Sequence, residues 1–240
     1  DKNYSYIPHV EKIEGDYDYA YICFNNTIMG THYEYIPETG NIPLVADISS
    51  CVLSEPLDVS KFGLLFAGAQ KNLAPAGVTL VIIREDLIPE PADCLPGTPT
   101  MLAYKTHADN GSMYNTPPVF SIFMMNETLK WLKSIGGVPA IQKINQRKAD
   151  LLYSEIDRNP LFVGTAAKED RSLMNVCFVM APGYEALQDE FLAFAKERGM
   201  IGIKGHRSVG GFRASLYNAC TVEDVQAIVD CMKEFEELKK

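Results

Sequence analysis

Short apolar runs alternate with amphipathic stretches along this chain, which is the pattern of strands separated by helices. Four runs in the first third are apolar at nearly every position, and they lie at residues 19–24, 44–46, 64–67 and 78–83. A strand that is apolar on both faces must be covered on both faces, as in a mostly parallel sheet flanked by helices. The first third therefore predicts an α/β architecture.

The later part of the chain combines helical periodicity with two strands. Thr116, followed by two prolines, is expected to be the N-cap of an apolar helix over residues 119–132. A second helix is predicted over about 139–157. Four further elements follow: a strand at 175–180, a helix at 184–198 ended by Gly199, a strand at 210–216, and a helix at 221–238 with Thr221 and Asp224 as its capping box.

These elements predict two domains. Residues 1–140 are interpreted as part of a larger domain, and residues 141–240 as a small C-terminal α/β domain. A parallel sheet built from the predicted strands alone is small and poorly covered. The 240 residues are therefore expected to be the C-terminal part of a longer protein.

The composition restricts the classes of partner. A formal net charge of −9 argues against a nucleic-acid or anionic-membrane surface, because either needs a basic face. No run approaches the length of a membrane span, and the first residues do not form a signal peptide. Reduced thiols, no metal site and a cytoplasmic location are expected, since the histidines are dispersed and the cysteines show no Cys-x-x-Cys spacing. Four cysteines lie in apolar settings: Cys23, Cys51, Cys177 and Cys231.

An aspartate and a lysine lie at the ends of neighbouring apolar runs. Asp47 follows residues 44–46, and Lys71 comes shortly after residues 64–67. Pyridoxal 5′-phosphate (PLP) chemistry needs such a pair, because a carboxylate keeps the pyridine nitrogen protonated and a lysine amine forms the Schiff base. Taken singly, each is more often a solvated strand end or a turn. Lys71, however, lies on a small-residue turn that leads into the next apolar run, where a solubilising lysine is uncommon.

Two further polar segments are candidates for cofactor contacts. Thr27, in an Asn-Asn-Thr sequence after the first strand, offers a hydroxyl group to a cofactor edge, although a simple turn explains the local sequence as well. Asn115 and Thr116 precede a predicted helix, whose free N–H groups and dipole favour a phosphate. An ordinary cap explains this second segment equally well.

A basic, glycine-rich segment spans residues 204–213 and contains His206, Arg207 and Arg213. Arginine binds carboxylate or phosphate through paired N–H donors, and glycine lets the backbone approach an anion. A solvated hairpin with scattered charge is the alternative. Arg213 argues against it, because a guanidinium within a strand-like run needs an anionic partner.

Three stretches resemble the phosphoserine aminotransferase family: ADISS at 46–50, GAQKNLAPAG at 68–77 and HRSVGGFRASLYNA at 206–219. The likeness extends over essentially the whole chain, and the third stretch is the most specific, because other PLP enzymes share the Asp and Lys without it. This family lies within the class V aminotransferases and has the aspartate-aminotransferase-like fold of fold-type I PLP enzymes. The resemblance implies that residues 1–140 are the C-terminal portion of the large PLP-binding domain, with its mostly parallel sheet.

The resemblance also implies roles around the cofactor. Lys71 bonds covalently to PLP and then moves a proton between the substrate α-carbon and the cofactor. Asp47 pairs with the pyridinium nitrogen, Thr27 bonds near the ring hydroxyl, and Gln70 contacts the cofactor phosphate. In a homodimer, Asn115 and Thr116 would reach the cofactor that is bound by the other subunit.

The reaction implied by the resemblance is amino transfer between glutamate and 3-phosphohydroxypyruvate, giving O-phosphoserine and 2-oxoglutarate in serine biosynthesis. A phosphorylated hydroxythreonine of the vitamin B6 route is a second implied substrate. His206, Arg207 and Arg213 match the residues that hold the phosphate and carboxylate groups of the substrate.

Two alternatives stay open. A different PLP enzyme of the same fold, such as a desulfurase or an alanine–glyoxylate-type aminotransferase, would keep Asp47 and Lys71. The other alternative is a truncated chain, inactive alone, that binds PLP weakly or only dimerises. Family members begin with a portion of the large domain that carries a Gly-Arg phosphate loop and the aromatic residue stacked on the pyridine ring. Trp131, in a predicted helix, does not match that stacking residue.

Overall fold

Strands and helices alternate in the computed structural model, which describes residues 3–240. The strands are β1 (Ala20–Cys23), β2 (Asn25–Asn26), β3 (Thr31–His32), β4 (Leu44–Asp47), β5 (Leu64–Gly68), β6 (Thr79–Ile83), β7 (Phe162–Gly164), β8 (Asn175–Met180) and β9 (Phe212–Ser215). The helices are α1 (Tyr104–Asp109), α2 (Val119–Ser134), α3 (Gly137–Arg158), α4 (Gln188–Glu197) and α5 (Val222–Lys239). Among the residues described, no helix is long and apolar enough to cross a membrane.

The first sheet has the strand order β1-β4-β5-β6. β1, β4 and β5 run parallel, and their register aligns Cys23 with Asp47 and Asp47 with Phe66. The carboxyl ends of these three strands therefore meet at one edge of the sheet. Ala46 and Leu65 are buried at its centre, as the apolar runs predict.

The last strand of this sheet differs from the expectation of a buried parallel strand. β6 pairs antiparallel with β5, because the short segment after Lys71 turns the chain straight back. The side chains of Val81 and Ile82 are exposed, so the apolar composition of this strand does not correspond to burial on both faces within this chain.

The second sheet is antiparallel, with the order β7-β8-β9. Helices α3, α4 and α5 pack against it around an aromatic core, in which rings meet mostly edge to face. The core is formed by Phe162, Phe178, Phe191, Phe212 and Phe235. A separate cluster of buried residues covers the first sheet, from Ile22 to Leu73 together with Met174. The domain division at residues 140 and 141 stays a prediction.

The start of α2 corrects one sequence-based expectation. The N-cap is Pro118, not Thr116, and it makes no side-chain cap hydrogen bond. A cap at Thr116 would need a free N–H at position 118 or 119. Proline has none, and the Val119 N–H donates to the Pro117 carbonyl at 2.8 Å. Thr116 is therefore left exposed outside the helix.

Element ends in the C-terminal part shift by a few residues. Helix α4 begins at Gln188, because residues Glu185–Leu187 form a separate 3₁₀ turn. Helix α5 has the expected capping box: the Thr221 hydroxyl accepts from the Asp224 N–H, and the Asp224 carboxylate accepts from the Thr221 N–H.

Candidate active site

The three parallel strands of the first sheet deliver polar residues to one edge. Ligands of open α/β sheets bind outside the carboxyl ends of the strands. Thr27 lies shortly beyond the end of β1 and directly after β2, Asp47 is the last residue of β4, and Lys71 follows β5 on a turn. Tertiary structure therefore brings together three residues that are far apart in the chain.

A line of hydrogen bonds joins Lys71 to the C-terminal sheet. The Lys71 Nζ donates to the Thr27 hydroxyl oxygen at 2.8 Å. The backbone carbonyl of Thr27 in turn accepts from Arg213 Nη1 at 3.4 Å. Thr27 thus touches the amine proposed to hold the cofactor on one side and a guanidinium of the basic segment on the other.

The turn after β4 is fixed at the edge of the sheet. The Ser49 N–H donates to Asp47 Oδ1 at 2.8 Å. The Ser49 hydroxyl accepts from the Gly68 N–H at 3.0 Å, which ties this turn to the end of β5. The half-buried Asp47 carboxylate is therefore held close to the strand that leads to Lys71. Ser49 lies within the ADISS stretch, and the local sequence alone does not predict this contact.

Cys23 lies between the charged groups of the site, and its exposure corrects the expectation of a buried thiol. The other three cysteines in apolar settings are buried, while Cys23 is exposed in part. Burial nevertheless raises the pKa of its thiol; the Asp47 carboxylate raises it further, and the Lys71 ammonium opposes the rise. The available sequence signal was its place near the end of the first apolar run, and the structure aligns it with Asp47 in register.

The basic segment borders a cavity of about 690 Å³. His206 and Arg213 line it, together with Ile28 and Thr165. Arg213 is near a buried thiol there: burial raises the pKa of Cys177 to about 11, and the Arg213 guanidinium opposes that rise. The cavity therefore combines the Arg213 guanidinium and the His206 imidazole with apolar walls, which suits a small anionic ligand.

The loop that carries His206 and Arg207 is closed by its own hydrogen bonds, and Arg213 follows it on β9. The Gly205 N–H donates to the Gly211 carbonyl at 2.8 Å, and the His206 carbonyl accepts from the Gly210 N–H at 2.9 Å. A Cβ at position 205 would collide with the Gly210 backbone, and Gly211 has a φ of +62°. Only glycine meets both demands. Arg207 lies on this loop and is exposed, outside the group of described residues that line the cavity.

The other sequence-predicted residues take different positions. Gln70 is exposed, and its amide lies against the backbone of Gly68. Asn115 and Thr116 are exposed on the segment before α2. That helix is anchored behind the lysine turn by Ser121, whose hydroxyl donates to the Ala76 carbonyl at 2.9 Å.

A buried amide network, which sequence reasoning missed, connects the site to the second sheet. Asn25 Nδ2 donates to the Ser50 hydroxyl at 2.7 Å and to Asn175 Oδ1 at 2.9 Å. The Ser172 hydroxyl donates to Asn25 Oδ1 at 2.6 Å. All four side chains are buried. They join the loop that carries Thr27 to strand β8, and no local sequence signal distinguishes such asparagines from turn residues.

The donor set fits PLP. A carboxylate and an amine lie at the ends of adjacent strands, with a hydroxyl in hydrogen-bond contact with the amine. The network around Ser49 and Asn25 keeps these groups on rigid backbone. The neighbouring cationic cavity supplies room for a substrate beside them.

The sequence and the fold are similar to those of known proteins. The sequence model of the family described as aminotransferase class-V matches residues 2–228. The phosphoserine aminotransferase of Bacteroides fragilis is 55% identical over 238 residues, which cover 99% of this chain and 66% of that protein. The chain thus spans about two thirds of the length of this relative.

Solved structures agree with the sequence comparison. A structure described as radiation damage of the Schiff base in phosphoserine aminotransferase superposes with a TM-score of 0.93 at 47% identity, covering 98% of this chain and 65% of that chain. PLP-bound phosphoserine aminotransferase from Trichomonas vaginalis has a TM-score of 0.87 at 42% identity, covering 92% of this chain and 61% of that chain. The fold is that of fold-type I aminotransferases, and the cofactor is PLP.

Proposed function

Because the chain belongs to the class-V aminotransferase family, we propose that it carries the PLP and substrate residues of a phosphoserine aminotransferase. The reaction moves an amino group between glutamate and 3-phosphohydroxypyruvate, giving O-phosphoserine and 2-oxoglutarate. One observation carries this proposal: His206 and Arg213 line a cavity that Arg213 joins to the Lys71–Thr27 pair.

The chain's own residues supply the acid and base chemistry. When bound, PLP provides an electron sink for the bond that breaks at the substrate α-carbon. The Asp47 carboxylate would hold a proton on the pyridine nitrogen, and the Thr27 hydroxyl would orient the Lys71 amine. Lys71 would hold the cofactor, and its amine, when free, would act as the base that takes the proton from the substrate α-carbon.

The basic segment supplies substrate selectivity. The proposed substrates carry a phosphate and a carboxylate, so they need several N–H donors within a short distance. His206, Arg207 and Arg213 provide them on one closed loop and its following strand. A phosphorylated hydroxythreonine of the vitamin B6 route carries the same two groups and is proposed as a second substrate.

The first test locates the cofactor. The chain is mixed with PLP, reduced with borohydride and digested, and the modified peptide is mapped by mass spectrometry. We expect one dominant modification, on Lys71, and none on the exposed neighbour Lys61. A Lys71→Arg variant should lose the modification. Labelling spread over surface lysines would contradict the assignment.

The second test concerns the substrate. The PLP-loaded chain is titrated with O-phosphoserine, serine, alanine and cysteine, and the cofactor absorbance is followed. O-phosphoserine should bind about a hundredfold more tightly than serine, since the phosphate adds charge-assisted hydrogen bonds. Arg207→Ala should weaken O-phosphoserine about tenfold, whereas Arg147→Ala, on the surface of α3, should not. Equal binding of alanine or cysteine would favour a different fold-type I enzyme, the alternative considered above.

We propose further that two copies of this chain share their sites. Asn115 and Thr116 are exposed beside large exposed apolar residues, Tyr114, Val119 and Phe120. An exposed apolar patch of this kind is typical of an interaction surface. In a two-fold dimer, the same segment of each copy would reach the cofactor phosphate of the other.

Complementation tests the shared site. Lys71→Ala lacks the amine, and an Asn115→Ala/Thr116→Ala double variant lacks the contacts from the partner. Mixing the two should restore PLP labelling at the native affinity, because a mixed dimer contains one site with all native residues. No restoration after confirmed subunit exchange would contradict sharing, as would a purely monomeric chain by sedimentation.

A further inference from the structure

One lysine is completely buried and has no part in the chemistry described above. Lys148, on α3, is 0% exposed. Its Nζ donates hydrogen bonds to three backbone carbonyls: Leu216 at 2.9 Å, Tyr217 at 3.0 Å and Cys220 at 3.0 Å. A buried ammonium is costly unless its hydrogen bonds are satisfied. Three carbonyls converging on three N–H donors constitute such an arrangement.

The carbonyls belong to the loop between β9 and α5, and this loop touches the lysine turn. The Asn218 N–H donates to Asn72 Oδ1 at 2.8 Å, and Asn72 directly follows Lys71. Asn145, one turn before Lys148 on α3, donates to Asn218 Oδ1 at 2.9 Å. Asn72, Asn145 and Asn218 are all buried. A continuous buried path therefore runs from α3 through the loop to the residue next to Lys71.

Lys148 can donate three hydrogen bonds only in its protonated form. Burial lowers the pKa of Lys148 to about 8, while the nearby Cys220 and Asp224 act in the opposite direction. The amine is therefore still mostly protonated at pH 7 and keeps its third donor, so that each of the three carbonyls has a partner.

We propose that Lys148 is a positioning residue for the cofactor site. It holds the loop of residues 216–220, the loop holds Asn72 through Asn218, and Asn72 fixes the turn that presents the Lys71 amine to Thr27. This inference rests on the proposed role of Lys71. Lys148 itself touches neither cofactor nor substrate.

The first test needs no cofactor. The wild-type protein, Lys148→Met and a matched control are treated with a trace of acetylating reagent, and the acetylation of each lysine is quantified by mass spectrometry. The control, Lys143→Met, removes an exposed lysine from the same helix. Lys71 reactivity should rise about fivefold in Lys148→Met, the equivalent of one weakened hydrogen bond, and stay at the wild-type value in the control. Unchanged Lys71 reactivity in a folded Lys148→Met protein would overturn the inference.

A second variant tests the same path if Lys148→Met does not fold. Asn72→Leu keeps Lys148 and its three carbonyls but removes the acceptor of the Asn218 N–H. It should raise Lys71 reactivity to a similar extent, and an unchanged value would equally reject the path.

The third test uses PLP. Lys148→Met should weaken PLP binding about tenfold, and this effect should disappear in an Asn72→Leu background, because both changes interrupt the same path. Independent, additive effects would overturn the inference. Failure of the wild-type chain to bind PLP at Lys71 would instead reject the proposed function, and the acetylation experiment would still decide whether Lys148 positions the turn.

Discussion

Thr27 is the residue on which the site converges. Its hydroxyl accepts from Lys71 and its carbonyl accepts from Arg213, so one short segment after β1 orients groups from both sheets. The Asn-Asn-Thr sequence marked this segment as a candidate and also as an ordinary turn. Only the contact with Lys71, 44 positions away, separates the two interpretations.

Thr27→Val tests this convergence at constant side-chain shape. Valine removes the hydroxyl, so the Lys71 amine loses its acceptor and PLP affinity should fall about tenfold, as expected for a lost hydrogen bond to a charged group. Thr27→Ser keeps the hydroxyl and should stay close to wild type. Titration with PLP measures both. Wild-type affinity in Thr27→Val would show that the hydroxyl does not contribute.

Asp157 provides a prediction about pH. Arg171 donates two hydrogen bonds to it, at 2.7 and 3.0 Å, and Lys168 lies 2.9 Å away. The hydrogen bonds from Arg171 lower the pKa of Asp157 to about 2. Because this value is below the roughly 3.9 of an unfolded chain, the contribution to stability is present above about pH 4 and is lost as the pH falls toward 2.

Asp157→Asn should therefore be less stable than wild type at neutral pH, by about 1 kcal/mol for a partly exposed pair. The difference should shrink between about pH 4 and pH 2. Urea unfolding across this range measures it, with Asp150→Asn on the same helix as the control. A difference that does not change with pH would contradict the linkage.

At the scale of elements, helix ends show how far local sequence signals reach. Thr221 and Asp224 form the expected capping box, since both partners lie within one turn and need no distant contact. Thr116 has the right side chain for a cap, but Pro118 lacks the N–H to which it would bond. A preferred residue type is therefore sufficient only when the following residues supply free donors.

The capping box of α5 can be tested directly. Thr221→Ala should lower the free energy of unfolding by about 1 kcal/mol, and Thr221→Ser should change it little. The Thr221→Ala/Asp224→Ala double variant should lose less unfolding free energy than the two single variants lose in sum, because the two hydrogen bonds form one unit. Additivity in thermal or urea unfolding would show that the box does not act as a unit.

At the scale of the whole molecule, buried asparagines connect the first and second sheets, and one of them, Asn25, belongs to the short antiparallel pair of β2 and β3. Asn25 receives a hydrogen bond from Ser172 and donates one to Asn175, about 150 positions away in the chain. These contacts fix the position of the first sheet's edge, which carries Asp47 and Lys71, relative to β8. Strand β8 in turn pairs with β9, the strand of Arg213. The site is therefore a property of both sheets together.

Asn25→Leu should destabilise both sheets. The variant removes the acceptor of the Ser172 hydroxyl and the donor to Asn175 Oδ1, and the expected loss is about 3 kcal/mol of unfolding free energy. Asn126→Leu, at an exposed position of α2, is the control. Hydrogen exchange should become faster at amides of both β5 and β8, and a change confined to one sheet would show that the network does not couple them.

The sequence by itself determined the main strands and helices, the Asp47 and Lys71 strand ends and the basic loop, because apolar periodicity, caps and glycines act over a few residues. It did not indicate the short elements β2, β3, β7 and α1. Tertiary structure alone decided the antiparallel direction and exposure of β6, the exposed position of Cys23, and the burial of Asn25 and Lys148. Those properties depend on partners far along the chain, whose approach is set by the packing of two cores. Local sequence carries no signal for such contacts.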